Sequence, residues 1–446
     1  MPKNIGRRQF IQTSAMAAAA SAAVTPSLAQ EQKVAPSDQV VMGFIGTGRM
    51  GNGSLRTFSS HPGFRVAAVC DVYQPNLDKA IGELDSRSIK ADSYKDFRKI
   101  LERKDIDAVN ISSPDHWHPI MAAMACQAGK DVYVEKPISI TVAEGRKMVQ
   151  AARKYKRVVQ VGTQQRSGKH FQRAVKLVQS GELGAITAVR TWNLGNGFPE
   201  GWGNPPDSEP PANLDWDLWL GPAPAVPFNQ NRFGVAPDRW STFRYFWDYA
   251  GGMMTDWGVH LIDIVQWAMK VKAPDTVYAT GGKYQIKDNR DTPDTLMASY
   301  QYPGFVLTYE NRDCNSRQIN GHGYGIEFYG TNGTMFLDRS GYEIIPETDR
   351  DGDRSIPRMY SMQGVNVNNS NYDHADDFYN CIKSRGKPIS DIEEGHTSTA
   401  ACLLANVSYR TGTKLEYDGA TETIRNNPEA SKLLDKECRS PWKLEV

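Results

Sequence analysis

A chain of 446 residues exceeds what one ordinary hydrophobic core organises, so two domains are expected. Lys and Arg total 52 against 51 Asp and Glu, a net charge of +1 without a long basic block, which argues against nucleic acid as a main partner. Six cysteines are scattered with no C-x-x-C pair, which argues against a thiolate zinc site, and no stretch beyond the amino terminus reads as a membrane span.

Residues 1–29 read as a targeting segment. Arg7-Arg8-Gln9-Phe10-Ile11 precedes a mild apolar run, Ala15 to Val24, and Ser27-Leu28-Ala29 offers small residues at a cleavage point. The pattern resembles a twin-arginine export signal, with Gly6 and Gln12 in place of its usual Ser and Lys. The alternative is a disordered basic tail. The apolar run is too short for a stable anchor, so an exported, periplasmic protein with no membrane partner is expected. The polar stretch 30–38 reads as a linker.

The first strong structural signal runs from Val40 to Asp71. Val40-Val41-Met42-Gly43-Phe44-Ile45 suits a parallel strand buried on both faces. Gly46, Gly48 and Gly51 follow as G-x-G-x-x-G and open a helical run. In a dinucleotide site the first glycine makes the tight turn. The second lets backbone approach the pyrophosphate, and the third lets helix and strand sit close. The helix start, with Arg49 and Met50, directs unpaired N–H groups at the phosphates. A second apolar run ends in Asp71, twenty positions past Gly51, where a carboxylate can accept from ribose hydroxyls and repel a 2′-phosphate. NAD is favoured, and Arg49 keeps NADP open. An empty glycine turn in a doubly wound domain is the bland alternative.

Helices are expected over 75–85 and 97–103, and a buried strand over 107–111. That strand ends in Ser112-Ser113-Pro114-Asp115-His116-Trp117-His118, at the edge where open α/β sheets bind ligands. Ser113, Asp115 and His118 are therefore expected cofactor contacts, and Asp115 could also cap the helix over 120–128. A metal between His116 and His118 lacks a nearby third ligand. The next strand, Asp131 to Val134, delivers Glu135-Lys136-Pro137 to the same edge. A simple Glu135–Lys136 pair is the structural alternative for Lys136. A helix over 142–155 and a strand over 158–162 follow, with Gln164 and Arg166 just beyond.

Four motifs in order, G-T-G-R-M-G at 46–51, S-S-P-D-H-W-H at 112–118, E-K-P at 135–137 and G-G-M-M-T-D-W-G-V-H-L-I-D at 251–263, together with G-E-L-G at 181–184, resemble the Gfo/Idh/MocA oxidoreductase family. The resemblance implies an α/β chain: a Rossmann doubly wound parallel sheet over 39–163, then an α/β domain with an open, mostly antiparallel sheet over 164–446. It implies a site between them that oxidises or reduces sugars and polyols. It maps the family's catalytic Lys to Lys136 and its helical Asp and His to Asp256 and His260.

The residues allow the same chemistry. Met253 to Met269 has helical character, and Asp256 and His260 stand four apart on one face. Alcohol oxidation needs a base for the hydroxyl proton, a role that suits an imidazole. His260 is assigned that role, Lys136 holds the reacting oxygen, and Asp256 grips a neighbouring hydroxyl. Asp263, one turn on, could fix the His260 ring. Arg166 is expected to reach substrate with these three. A polar helix face without substrate is the structural alternative.

Seven of the ten Trp lie between Trp192 and Trp257, in a Gly- and Pro-rich stretch. Flat rings there suit sugar faces or mere loop packing, and Arg232, Arg239, Arg244 and Tyr245 are further substrate candidates. Alternating strands near 275–282, 294–301, 304–311, 323–329 and 333–338 predict an antiparallel sheet whose open face suits a homo-oligomer. Helices follow near 372–384 and 392–410. Three functions compete: an NAD(P)-dependent carbohydrate oxidoreductase, a redox-cycling glycosidase or lyase acting on a glycoside, and a silent sugar-binding protein.

Overall fold

The computed structural model describes residues 35–234 and 241–446. The expected export signal, most of the 30–38 linker and Arg239 lie outside the described residues. Six parallel strands form the first sheet, β1 (Val40–Ile45), β2 (Phe64–Cys70), β3 (Asp92–Tyr94), β4 (Ala108–Ile111), β5 (Asp131–Val134) and β6 (Val159–Val161). They run in the order β3-β2-β1-β4-β5-β6. Strands β4 and β5 are buried at every position, which is why both read as unbroken, mostly apolar runs. The crossover helices are α1 (Arg49–Ser59), α2 (Gln74–Asp85), α3 (His118–Gln127) and α4 (Val142–Lys154). A capping box between Thr141 and Glu144 starts α4.

The second sheet has ten strands. They are β7 (Ile186–Leu194), β8 (Thr276–Gly282), β9 (Thr295–Tyr302), β10 (Phe305–Arg312), β11 (Tyr324–Gly330), β12 (Gly333–Leu337), β13 (Gly341–Pro346), β16 (Met362–Val365), β17 (Leu415–Asp418) and β18 (Thr423–Ile424). A separate hairpin supplies β14 (Thr348–Asp351) and β15 (Arg354–Pro357). The order is β16-β13-β12-β11-β7-β10-β9-β8-β17-β18, with β7 and β10 the one parallel pair among the described residues. Burial alternates along β9, so one face packs and the other is open. Helices α5 (Lys169–Ser180), α6 (Gly252–Asp256), α7 (Gly258–Met269), α8 (Ser370–Ser384) and α9 (Ile392–Thr411) complete the frame. Residues of α5, α7 and α9 share one core with the packed sheet face, including Phe171, Ile264, Leu404, Tyr300 and Phe328.

Three differences from the sequence reading affect the site. The helix expected over 253–269 is two helices meeting at Trp257, so Asp256 ends one and His260 lies in the first turn of the other. Helix α8, within the stretch 164–446 assigned to the second domain, packs on the first sheet. Its Ala375, Phe378, Cys381 and Ile382 pack with Phe44, Phe58 and Leu77 on one face of the first sheet. The aromatic stretch after β7 builds a small core of its own from Leu214, Trp219, Phe228, Phe233, Phe246 and Tyr249. Trp216 stacks on Trp219 with ring centres 4.7 Å apart, so loop packing claims this pair, and Trp219 also reaches the cavity wall. Among the described residues no helix is long and apolar enough to cross a membrane.

Candidate active site

A cavity of about 660 Å³ opens at the carboxyl ends of the first sheet's strands and reaches α6 and α7. Its walls include Ile45, Asp71, Ser113, Glu135 and Gln164, each at or just beyond the end of a different strand.

The glycine turn is shaped for a dinucleotide. Gly46 has φ +83°, and a Cβ there would stand 2.6 Å from the Ser113 nitrogen. A Cβ on Gly51 would collide with the carbonyl of Gly46, so the close helix–strand approach requires glycine. Around Gly48 the space is open, with only Asn76 Nδ2 within 4 Å at 3.8 Å. Helix α1 begins at this opening without a side-chain cap, which leaves its first N–H groups to meet phosphate. Asp71 Oδ2 accepts from Thr47 N at 2.8 Å and from Asn76 Nδ2 at 3.1 Å, and Oδ1 accepts from Tyr73 N at 2.9 Å. Burial pushes the Asp71 carboxyl up, and these donors pull it back. The buried hydroxyl of half-buried Ser113, on the cavity wall, has no hydrogen-bond partner among the described residues. These features fit NAD.

Of the expected cofactor contacts, Gly46, Gly48, Arg49, Met50, Asp71, Ser113, Asp115, His118, Glu135, Lys136 and Gln164 line the cavity, while Gly51 lies beneath the turn. His118 stands 2.8 Å from the carbonyls of both Ser113 and Pro137 and so ties two strand-end loops together. Burial pushes its ring down to about 4, and a neutral ring donates to one of these carbonyls at a time. Asp115 does not cap the following helix. It sits in a 3-10 turn, Asp115–Trp117, and α3 begins at His118 without a side-chain cap. Burial lifts its carboxyl to about 7 against the lowering pull of Arg244 and Lys136. Burial likewise lifts Glu135 to about 7, against the pull of Lys136. Gln164 Nε2 donates to Glu135 Oε1 at 3.1 Å and to the Tyr133 hydroxyl at 2.9 Å.

At the far end, Lys136 is joined to Asp256. Its Nζ donates to Asp256 Oδ1 at 2.7 Å and to the Asp256 carbonyl at 2.8 Å, so the neighbouring Glu135 is not its ion-pair partner. Arg244 Nε donates to the same Oδ1 at 2.8 Å. Burial opposes ionisation of Asp256, yet Lys136 and Arg244 override it and hold the carboxyl well below the usual range. His260 is buried and lines the same cavity. Burial, then the cations Lys136 and Arg339, push its ring well below the ordinary imidazole range, so it is neutral near pH 7. Its Nδ1 has no hydrogen-bond partner among the described residues.

Two expectations for this end are corrected. Asp263 does not fix the His260 ring. Its two oxygens accept from Arg166 Nε and Nη2 at 2.8–3.0 Å, and both side chains are buried. Arg166 does not line the cavity, because its guanidinium is committed to Asp263 and lies over the Trp267 ring, 5.1 Å from its centre. Arg232 and Tyr245 also stay off the cavity wall, whereas Arg244 is on it. The wall further includes Gln165 and Arg339, which lie outside the motifs, and Trp257, to which the motif at 251–263 gave no role. Among the described residues no group of three or more His, Cys, Asp or Glu gathers to hold a metal.

A strand-end cleft with a glycine turn at one end and a Lys–Asp pair beside an imidazole at the other defines a dinucleotide-dependent oxidoreductase. Family models agree. Residues 40–163 match the NAD-binding Rossmann domain of the Gfo/Idh/MocA oxidoreductases, and residues 168–334 and 352–444 match that family's C-terminal alpha/beta domain. The chain belongs to the Gfo/Idh/MocA oxidoreductase family, and it is an NAD-binding oxidoreductase.

Among curated relatives, the uncharacterized oxidoreductase YrbE of Bacillus subtilis is 26% identical over 307 residues, 68% of this chain and 74% of that protein. Inositol 2-dehydrogenase of Salmonella typhimurium is 33% identical over 144 residues, 32% of this chain and 42% of that protein. A glycosyl hydrolase family 109 protein of Shewanella baltica is 28% identical over 204 residues, 41% of this chain and 44% of that protein. Among solved structures, levoglucosan dehydrogenase with NADH and levoglucosan matches with a TM-score of 0.63 at 18% identity, over 85% of this chain and 99% of that one. Aldose-aldose oxidoreductase from Caulobacter crescentus, complexed with glycerol, matches with a TM-score of 0.61 at 18% identity, again over 85% and 99%. Likeness at this identity speaks to the fold.

Proposed function

We propose that this protein moves a hydride to or from a hydroxyl-bearing carbon of a sugar or polyol, with Lys136, Asp256 and His260 as the reacting side chains. The observation that carries the reading is the convergence of Lys136, from the first sheet, and His260, from α7, on one cavity beyond a dinucleotide turn. The inositol, levoglucosan and aldose names of the relatives support the substrate class.

Bound NAD supplies the hydride acceptor or donor at its pyridine ring. The chain supplies the rest. His260, neutral at working pH, takes the hydroxyl proton as the carbon is oxidised and returns it in reverse. The Lys136 ammonium holds the reacting oxygen and stabilises the alkoxide charge that develops there. Asp256, kept ionised by Lys136 and Arg244, fixes the ammonium and accepts from a neighbouring hydroxyl. Ser113, Asp115, His118, Glu135 and Gln164 shape the cofactor wall. The test is hydride transfer with a panel of sugars and polyols followed by product analysis, and a keto-sugar or lactone is expected. Turnover confined to compounds without hydroxyls would overturn the reading.

A second reading, glycoside cleavage through a transient ketone with no net oxidation, draws on the glycosyl hydrolase family 109 relative. It uses the same residues and differs in product, a cleaved glycoside.

Two further proposals come from the sequence. The twin-arginine pattern at Arg7-Arg8 supports export to the periplasm, where free NAD is scarce. The cofactor is therefore carried out with the folded protein and recycled within the site. Denaturing protein purified without added cofactor should release near-stoichiometric nicotinamide nucleotide, and a cofactor-free supernatant would contradict retention. The open face of the ten-stranded sheet carries exposed Tyr278, Met297 and Val306, which supports a homo-oligomer through that face. Light scattering at working concentration tests it, and a monomer would contradict it.

A further inference from the structure

Arg339 is a cation on the cavity wall that the reaction above does not use. Arg339 follows β12, is exposed to solvent and lines the cavity. Its Nε donates to Gln165 Oε1 at 3.2 Å. The guanidinium lies over the Trp257 ring, 5.0 Å from its centre, and 6.0 Å from the centre of the Tyr324 ring. Nη1 and Nη2 make no hydrogen bond or ion pair among the described residues. The adjacent carboxylate is spoken for, because Asp338 accepts from the backbone of Ser340 and Gly341 and from His322 Nδ1. Arg244, another arginine on the cavity wall, is committed to Asp256. The guanidinium is thus held in place by ring and amide contacts, and its fork is unfilled.

We propose that Arg339 receives a carboxylate on the substrate, so that the substrate is a sugar acid or a glycoside of one. The inference rests on the sugar reading above and narrows it. The planar guanidinium fork matches a carboxylate through two parallel N–H···O bonds, and a guanidinium braced on a ring loses little freedom in making them. One unneutralised cation calls for one negative charge, whereas a phosphate dianion asks for a second cation that this end of the cavity has already given to Asp256. The position is also apt. Trp257 separates Asp256 from α7 in sequence, and its ring centre lies 6.2 Å from that of His260. Gln165, which accepts from Arg339, donates through Nε2 to the His260 carbonyl at 3.1 Å. A carboxylate on Arg339 would therefore anchor the sugar beside the imidazole that takes its proton.

The experiment uses the full-length holoprotein and matched sets of sugars: glucose with glucuronate and glucose 6-phosphate, and the galactose and mannose equivalents. Binding is read by calorimetry and hydride transfer by cofactor absorbance, at low salt. In at least one set the acid should bind roughly 10- to 100-fold tighter than its neutral partner, the span expected for one charged hydrogen-bonding contact. Arg339→Gln should erase that advantage in binding and leave the affinity for the neutral sugar within about twofold. Arg339→Lys, which keeps the charge and loses the fork, should recover part of it. Neutral sugars bound as well as acids in every set, or equal weakening of both by Arg339→Gln, would overturn the subsite and leave the sugar reading standing. Phosphates bound tightest throughout would overturn the carboxylate assignment. Failure of every sugar to bind or react would overturn the sugar reading and the subsite together.

Discussion

Lys136 and Asp256 are 120 residues apart in sequence, yet the ammonium of the first donates to both the carboxylate and the backbone carbonyl of the second. The contact joins the end of β5 to the end of α6 and fixes how the two sheets' functional edges meet. Both side chains are nearly buried, so the pair persists only because each charge answers the other. Asp256→Asn removes the charge and leaves two cations facing a neutral amide. The rate of hydride transfer should fall roughly 10²- to 10⁴-fold. Stability should fall by about 3–5 kcal/mol, as for breaking a buried pair. Stopped-flow kinetics and denaturant melts check the two effects.

The glycine turn gives a prediction about cofactor content. Gly46→Ala places a methyl group against Ser113 N in a backbone region that L-residues avoid. The turn must shift, and the opening at Gly48 shifts with it. Purified Gly46→Ala protein should carry less than about a tenth of the wild-type nicotinamide nucleotide, a loss of roughly 1.4 kcal/mol or more in affinity. Release by denaturation and enzymatic assay measures it.

The Arg166–Asp263 pair is a stability feature. Asp263→Asn leaves a buried guanidinium without its carboxylate and should cost about 3–5 kcal/mol in a urea melt. Hydride transfer by the folded fraction should stay within about threefold, because neither side chain lines the cavity. A large loss of rate at unchanged stability would return Arg166 to the substrate.

The history of that pair shows what the sequence could convey. The parallel strands were legible because burial on both faces forces apolar runs, and the glycine turn because its geometry admits few residues. Lys136 was legible at a strand end, and Asp256 and His260 through their motif. Arg166 looked like a cleft residue because it follows Gln164. Its partner lies 97 residues away, and nothing local announces a buried ion pair of that span. Arg339 was invisible for the same reason, since it reaches the site only after β12 takes its place in the sheet. Asp115 had the right type for a cap, but the chain spends it on a 3-10 turn instead. The Trp residues cluster in sequence, and composition alone does not say whether their rings face a sugar or each other.

Acid sensitivity follows from the charges around His260. Burial lowers its pKa first, Lys136 and Arg339 lower it further, and Asp256 alone raises it. The base acts unprotonated, so kcat/KM for a neutral sugar should decline only below the ordinary imidazole range of about 6.5. Removing a cation favours the protonated ring. Arg339→Gln should therefore move the acid limb to higher pH, and a limb that stays fixed would show that another group titrates there.

The central claim is that Lys136 and His260 serve one reacting centre, and single-turnover reduction of the bound cofactor tests it most directly. Lys136→Met and His260→Ala should each retain the wild-type complement of nicotinamide nucleotide, yet slow its reduction by substrate roughly 100-fold or more. Reduction at near wild-type rate in either variant, with cofactor fully bound, would contradict the claim.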